Sequence, residues 1–358
     1  MELSRGQRRC AYSGHVSNSI CQYTIRNRSP WEEDGGPQTW NLDIVPELPD
    51  IVTYIGALEK RIVGRPLWRI RIVSPFLLRS VTPKPQELVG KHVTAVTRMG
   101  KRIVLEMEDE LFIVIHLMIA GRLRWKESAV KLAGKAMLAA FDFENGSLVF
   151  TEAASNKRAS LHLVRGNSGL AEHERGGLEV LDSDLAAFRG ALMSENHTLK
   201  RSLTDPRLFS GIGNAYSDEI LHGARMSPVK LTSRLSEEEV ERLYDAVREV
   251  LTKWVQRLAR ETGDGFPEKV TAFWPGMAVH GRFGEPCPDC GSPVQRIIYA
   301  ENEANYCAKC QTDGKLLADR SLSRLLKSDW PRTLEEMEVH RTVRRDDQKS
   351  EDSEKVKK

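Results

Sequence analysis

From Ile51 to Val63 the apolar positions recur at helical spacing, and the pattern then changes to short β-type runs: Leu67–Val73, Val93–Met99, Ile103–Met107 and Leu111–His116. Met137–Phe143 and Ser147–Phe150 flank Asn145-Gly146, a pair that favours a two-residue hairpin turn. Residues 46–165 are therefore expected to form one helix and many short strands arranged as a β-sandwich. Beyond them the period lengthens to that of a helix. Helices are expected at Leu185–Met193, His197–Leu203, Asn214–Ala224 and, most clearly, Glu237–Arg260. The last carries Val240, Leu243, Val247, Val250, Leu251, Trp254 and Leu258 as one stripe. Ser236 and Glu239 make a capping box before it, with Leu235 placed to staple onto Val240.

These runs divide the chain. Residues 1–45 show no period, and their arginines and carboxylates balance, as in a disordered extension. The β-sandwich at 46–165 is followed by a helical unit at 180–275. At 277–333, Val294–Tyr299 and Asn305–Tyr306 predict a hairpin turning near Glu301-Asn302-Glu303, and Lys315–Lys327 predicts a short basic amphipathic helix. Residues 334–358 are almost all charge and are expected to form a solvated tail. The fold class expected is α+β and multidomain: an N-terminal β-sandwich with flanking helices, a helical domain, and a C-terminal β-hairpin module.

Composition narrows the function only a little. A chain of 358 residues that is 40% hydrophobic can build two or three cores. A net charge of +3 gives no strong pull toward nucleic acid, so any basic surface must come from local clustering. Residues 1–30 lack the apolar core of a secretory signal, and the longest apolar stretch, Leu111 to Ile119, is too short to span a bilayer. A soluble, cytoplasmic protein with no membrane partner is expected.

Four of the six cysteines fall at Cys287, Cys290, Cys307 and Cys310. Two Cys-x2-Cys knuckles can each present two thiolates and together close a tetrahedral site around one structural Zn2+, with no open position for catalysis. Gly291 and Pro293 follow the first knuckle, as a tight turn requires. Zinc ribbons serve DNA, RNA and protein partners alike, so the module alone does not choose among them.

Three separated features point further: Pro46-Glu47-Leu48-Pro49-Asp50 opening a helix; Lys200 through Asp205-Pro206 to Gly211-Ile212-Gly213-Asn214-Ala215-Tyr216-Ser217-Asp218-Glu219; and the four-cysteine module. In this order and at these separations they resemble the formamidopyrimidine-DNA glycosylase family, with its relative endonuclease eight, over residues 46–312. The resemblance implies a helix–two-turn–helix element at 180–275. It also implies a monomeric, bacterial, nucleoid-associated enzyme that removes oxidised bases from double-stranded DNA and nicks the abasic strand.

The resemblance makes Pro46 the nucleophile, Glu47 the proton carrier and Lys101 the group assisting β-elimination. The chemistry is sound: an α-amine is partly neutral at pH 7, and its secondary-amine adduct with the sugar is an iminium that draws electrons and eases phosphate elimination. An amide nitrogen cannot do this, and Pro46 is internal in the chain. Val45 supplies an expectation. A bacterial GUG codon reads as valine internally and as methionine when it initiates, and that methionine is removed before a small residue such as proline. Initiation at position 45 would leave Pro46 as the mature N-terminus. If residues 1–45 stay attached, the alternative is a non-catalytic binder of damaged DNA; an RNA-binding zinc-ribbon protein is a third reading.

The resemblance also assigns DNA contacts. His116, in His-Leu-Met-Ile-Ala-Gly, matches a phosphate-contacting histidine. Ile119, or the adjacent Met118, matches the wedge that fills the gap left by the extruded nucleotide. Lys200, Gly213 and Asn214 match a phosphate site at a helix N-terminus, and Glu219 a support for that turn. The chain departs from the family at two places. Thr151–Ala159 replaces an Asp-Pro-Arg-Arg-Phe-like loop, leaving Lys157 and Arg158 as its cations and no aromatic wedge. Asn302, between Glu301 and Glu303, stands where the family has the arginine linked to δ-elimination, so an anionic hairpin tip and weak δ-elimination are expected, with Arg296 or Lys309 as substitutes.

Overall fold

The computed structural model describes residues 45–128, 130–268, 270–271, 273–299, 302–318 and 331–338. The unpatterned segment 1–44, Glu301 of the hairpin turn, residues 319–327 of the expected basic helix and the tail from 339 lie outside them.

The chain enters through α1 (Leu48–Ile62), in which Ile51, Tyr54, Leu58 and Ile62 recur every three or four residues and are fully buried. Two four-stranded antiparallel sheets follow. One has the order β1 (Arg69–Ile72), β6 (Met137–Phe143), β7 (Gly146–Glu152), β5 (Gly121–Lys126); the other has β2 (Val93–Met99), β3 (Arg102–Met107), β4 (Leu111–His116), β8 (Ser160–Arg165). Alternate residues of both sheets, among them Phe141, Leu148 and Phe150 of one and Ile103, Leu105, Ile113 and Ile115 of the other, share one core with the buried face of α1. This is the expected β-sandwich. The opposite face of the second sheet buries Val104, Phe112, Val114 and Val164 with the partly buried Leu170, which lies on the short α2 (Gly166–Ala171).

Two strands are absent from the sequence reading. β5 and β8 carry only two or three apolar positions each, Leu123 and Trp125 in one and Leu161, Leu163 and Val164 in the other, too few for a periodic signal. They exist because β7 and β4 offer them paired edges. The hairpin also differs in register. Phe143 pairs with Gly146, so Glu144 and Asn145 make the turn. Gly146 is needed at the next position because a Cβ there would lie 2.5 Å from the Lys126 carbonyl oxygen and 2.6 Å from the Trp125 ring.

The helical unit comprises α3 (Leu185–Met193), α4 (Leu199–Thr204), α5 (Asn214–Gly223) and α6 (Glu237–Thr262). Ser236 and Glu239 cap α6 reciprocally, at 3.3 and 3.0 Å. All of its stripe is buried in one core except Val250, which is partly buried. Leu48 belongs to this core while Ile51 belongs to the sandwich, and α1 packs against α6, so α1 joins the two units. The C-terminal hairpin is β9 (Val294–Tyr299) and β10 (Asn302–Cys307), followed by α7 (Ala308–Thr312). β10 starts three residues earlier than expected, with Asn302 paired to Tyr299. The tail differs too: residues 334–338 are helical, because Leu334 and Met337, three apart, bury themselves there. No helix of the described residues is long and apolar enough to cross a membrane.

The turn between β4 and β5 is tight: Gly121 N–H donates to Leu117 O at 2.9 Å, and a Cβ on Gly121 would stand 2.2 Å from that oxygen. Backbone cannot yield as a side chain does. Gly121→Ala is expected to cost roughly 1–3 kcal/mol, as overpacking does, read as a lowered Tm; an unchanged Tm would show that this turn tolerates the methyl group.

Candidate functional site

The backbone N–H groups at the start of α5 hold the carboxylate of Glu47. Gly213 and Tyr216 donate to Oε2 at 2.7 and 3.2 Å, and Ala215 donates to Oε1 at 2.9 Å. Leu48 N–H donates to Gly211 O at 3.0 Å beside them. Glu47 is 3% exposed. The sequence reading gave this helix end to a phosphate; the structure fills it with an internal anion, which satisfies the orphan N–H groups and favours the positive end of the helix dipole. Glu47 N–H in turn donates to Asp50 Oδ2 at 3.0 Å, and Trp274 Nε1 donates to Asp50 Oδ1 at 3.2 Å. Burial raises the Asp50 carboxyl to about 7, against the hydrogen bond from Glu47.

Gly213 is the point around which the site closes. A Cβ there would lie 2.4 Å from Lys101 Nζ and 2.5 Å from Glu47 Oε1, so ammonium and carboxylate approach within roughly 5 Å of each other over the bare glycine. Burial lowers the pKa of Lys101, while the charges of Glu47 and Asp50 oppose that shift.

Lys101 opens onto a cleft of about 830 Å³ whose walls include Val45, Arg98, Arg102, His116, Met118 and Arg175. His116 is pushed down to about 4, by burial first and then by the cations Arg102 and Lys101. It is therefore a neutral imidazole at pH 7, able to donate one hydrogen bond but not to contribute charge. Of the two wedge candidates, Met118 lines the cleft, with φ of +51°; Ile119 lies in the same turn but outside the lining. The left-handed backbone at Met118 is what a turn this short requires.

Other expected residues are placed elsewhere. Lys200 is buried; its Nζ donates to Asn214 O at 2.6 Å and to Asp218 Oδ1 at 2.5 Å. It is a correction to the sequence reading: the ammonium is spent inside and is not offered to DNA. Asn214, the first residue of α5, keeps its side chain partly exposed. In the loop after β7 the Lys157 ammonium donates to Glu152 O at 2.8 Å. The Arg158 side chain is exposed, and its N–H donates to the buried Glu152 carboxylate at 2.9 Å. Neither lines the cleft.

The four cysteine Sγ atoms lie within 4.8 Å of one another, with Cys287 to Cys310 at 3.9 Å and Cys290 to Cys307 at 3.4 Å. A tetrahedron with metal–sulfur bonds of about 2.3 Å has edges of about 3.8 Å, so the cluster fits a metal ion. The helical unit grips this module from α5. Glu219 accepts from the N–H groups of Ala278, Val279 and His280 at 2.7, 2.9 and 3.0 Å, which corrects its assignment to the glycine turn. Asp218 Oδ2 meets His280 Nδ1 at 2.8 Å, and His222 Nε2 meets Cys287 Sγ at 3.3 Å. The hairpin is not an anionic tip at Glu303: that side chain is buried, and its carboxylate lies 3.6 Å from Arg296, whose guanidinium stacks on Phe283 at 4.2 Å. Arg296 is therefore already engaged and is no ready substitute for the missing arginine.

Asp50 and Arg175 were given no such place by sequence. Of the two, only the acidic position early in α1 carried a signal, as a capping residue.

A β-sandwich whose helix-opening carboxylate docks on a helical unit, over a cation-lined cleft and beside a four-thiolate hairpin, defines a nucleic-acid-processing class. The family model for the formamidopyrimidine-DNA glycosylase N-terminal domain matches residues 45–156, and that for the H2TH domain of the same glycosylases matches residues 177–263. The formamidopyrimidine-DNA glycosylase of Desulforamulus reducens is 31% identical over 278 residues, spanning 75% of this chain and 99% of its own length. The Lactococcus lactis glycosylase superposes with a TM-score of 0.65 in two solved complexes. One is a variant with Fapy-dG containing DNA (28% identity, 75% of this chain, 100% of that one). The other is with DNA containing an abasic site (27% identity, 74% and 99%). The chain belongs to the formamidopyrimidine-DNA glycosylase family.

Two buried groups make opposite pH signatures. Asp50 binds its proton more tightly folded than unfolded, where a carboxyl titrates near 4. Its contribution to stability is complete below about pH 4 and lost as pH rises toward 7, by at most about 1.4 kcal/mol per pH unit. His116, held neutral, contributes stability above about pH 6.5 that is lost as pH falls toward 4. Denaturant unfolding between pH 4 and 7 should show Asp50→Asn gaining on the parent as pH rises and His116→Asn gaining as pH falls. Difference curves with the same slope would overturn these assignments.

Proposed function

We propose that this chain is a bifunctional DNA glycosylase and abasic-site lyase of base excision repair, acting on double-stranded DNA that carries oxidised bases or abasic sites. The observation that carries the reading is the junction at Gly213. There Glu47, one residue from Pro46, is seated on α5 within reach of the Lys101 ammonium. A nucleotide extruded into the cleft brings its sugar to this junction. The Pro46 amine, once free, attacks C1′ and the base leaves with a proton; the C1′–O4′ bond then breaks, O4′ taking a proton, and the resulting iminium acidifies the C2′ hydrogen, so that loss of that proton breaks the bond to the 3′ phosphate. Glu47 serves as the proton carrier. Its two oxygens offer about four acceptor positions, and three are filled by N–H donors, which fixes the carboxylate and leaves one position on Oε1 for a proton. Lys101 supplies positive charge for the phosphate that departs. Met118, rather than Ile119, is the wedge candidate that faces the cleft.

Cys287, Cys290, Cys307 and Cys310 would hold one Zn2+, which when bound cross-links the hairpin and takes no part in the chemistry. The working site of the protein is the cytoplasm, on the nucleoid.

The same reading places the mature N-terminus at Pro46. The N-terminal family match begins at residue 45. With Val45 attached, the Pro46 nitrogen is an amide and Val45 itself occupies the cleft wall. That form would bind lesion DNA without cutting it.

Mass spectrometry of protein from the native host should find Pro46 first, and retention of residues 1–45 would sink the assignment. Borohydride should trap that protein on abasic DNA, while an N-terminal extension ahead of Pro46 should abolish trapping; a trapped adduct with the extension present would remove Pro46 from the chemistry. On sequencing gels the 3′ ends should be mainly β-elimination products, and clean 3′-phosphate ends would contradict the role given to Asn302 and Arg296. Gly213→Ala drives a methyl group against Lys101 Nζ and against the Glu47 carboxylate that α5 holds, so Tm should fall, and single-turnover trapping by the folded protein should slow on the order of 100-fold, as misplacement of reacting groups does. Trapping at the parent rate would dismiss the Gly213 junction.

A further inference from the structure

The cleft holds more positive charge than this chemistry uses. Arg102 stands beside Lys101 at the start of β3, half-buried, with Nη1 donating to His173 O at 3.1 Å. Arg175 is exposed and lines the same cleft, and its charge adds to burial in disfavouring the charged Arg102. Across the sheet Arg102 is paired in register with His116. The rings of His162 and His173 meet edge to face at 4.6 Å, and burial first, with the Arg102 charge adding to it, pushes both imidazoles toward the neutral form. Two guanidiniums and the Lys101 ammonium thus share one region, beside imidazoles that are held toward the neutral form.

Among the described residues the two guanidiniums make no ion pair. Three carboxylates line the cleft. Glu179 is taken by Arg98 and by the Ser210 hydroxyl. Among the described residues, neither Glu174 nor Asp182 makes an ion pair with Arg102 or Arg175. Guanidiniums gathered without a carboxylate partner work against folding and are relieved by a polyanion. Guanidiniums match that need in geometry as well, since their planar forks pair bidentately with phosphate oxygens.

We propose that Arg102 and Arg175 form a second phosphate subsite, which holds a backbone phosphate of the lesion strand beyond the one at Lys101. The subsite rests on the glycosylase reading. It fixes the strand at a neighbouring nucleotide, and so sets how far the extruded sugar enters the cleft.

The test is binding of the full chain to a duplex with a borohydride-reduced abasic site, measured across salt concentrations. Arg175→Gln, at an exposed side chain, should keep the parent Tm and lower the slope of log K against log[salt] by about 0.9, one phosphate contact. Arg175→Lys should restore most of that slope. In the parent, a neutral methylphosphonate at one backbone position near the lesion should weaken binding, and in Arg175→Gln the same substitution should have no effect. An unchanged slope, or a methylphosphonate effect that persists in the variant, overturns the subsite and leaves the glycosylase reading standing. A parent chain that shows no preference for the lesion duplex over undamaged duplex overturns both.

Discussion

One carboxylate organises this protein. Glu47 belongs to the sandwich by sequence and to the helical unit by its hydrogen bonds, and three N–H groups of α5 converge on it. Hydrogen bonds to an ionised group contribute more than neutral ones, about 1.5–3 kcal/mol each. A helix N-terminus adds a field of the favourable sign. The same helix carries Asp218, Glu219 and His222, which bind the segment entering the cysteine module and the module itself. α5 therefore sets the position of both the proposed reaction centre at one end and the hairpin at the other. An error of an ångström at either contact is transmitted through a rigid element of ten residues.

The charges buried around α5 follow from that role. Lys200 and Asp218 form an ion pair whose side chains are 4% and 0% exposed. Such pairs lose much of their attraction to desolvation and are weak evidence for stability. Here the pair shares Asp218 with His280, and Lys200 also binds Asn214 O, so removing any member strands another. An apolar cluster would pack as well but would not dictate the rotation of α5 about its axis; the network does, since each oxygen of Asp218 has one partner. Lys101 differs because it is half-buried and turned to the cleft. The same cation type thus does two unlike things in one site, and burial with partners separates them.

What the sequence made legible was motif and period. The sandwich, α6 and the cysteine cluster all carry signals that depend on residue type at fixed spacing, and all appear in the structure. Glu47 and Gly213 were legible as members of motifs but not as partners, because 166 positions separate them and no local pattern encodes the contact. Lys200 was misplaced for a related reason: a lysine near a glycine turn reads as an anion contact until Asp218 is seen beneath it. β5 and β8 were missed because their stability comes from neighbouring strands and not from their own composition. Glu303 misled because strand alternation, starting earlier than expected, turns it inward against Arg296.

The geometry also explains why the start of the chain matters so much. Glu47 is fixed by α5 whether or not anything precedes Pro46, since none of its three donors comes from upstream. The proposed proton carrier is therefore held in the same way in both forms. What the upstream peptide bond removes is the nucleophile's lone pair, and Val45 takes up space on the cleft wall. On the proposed reading, binding and cutting separate at a single bond, because acylation of Pro46 withdraws the lone pair that would attack C1′.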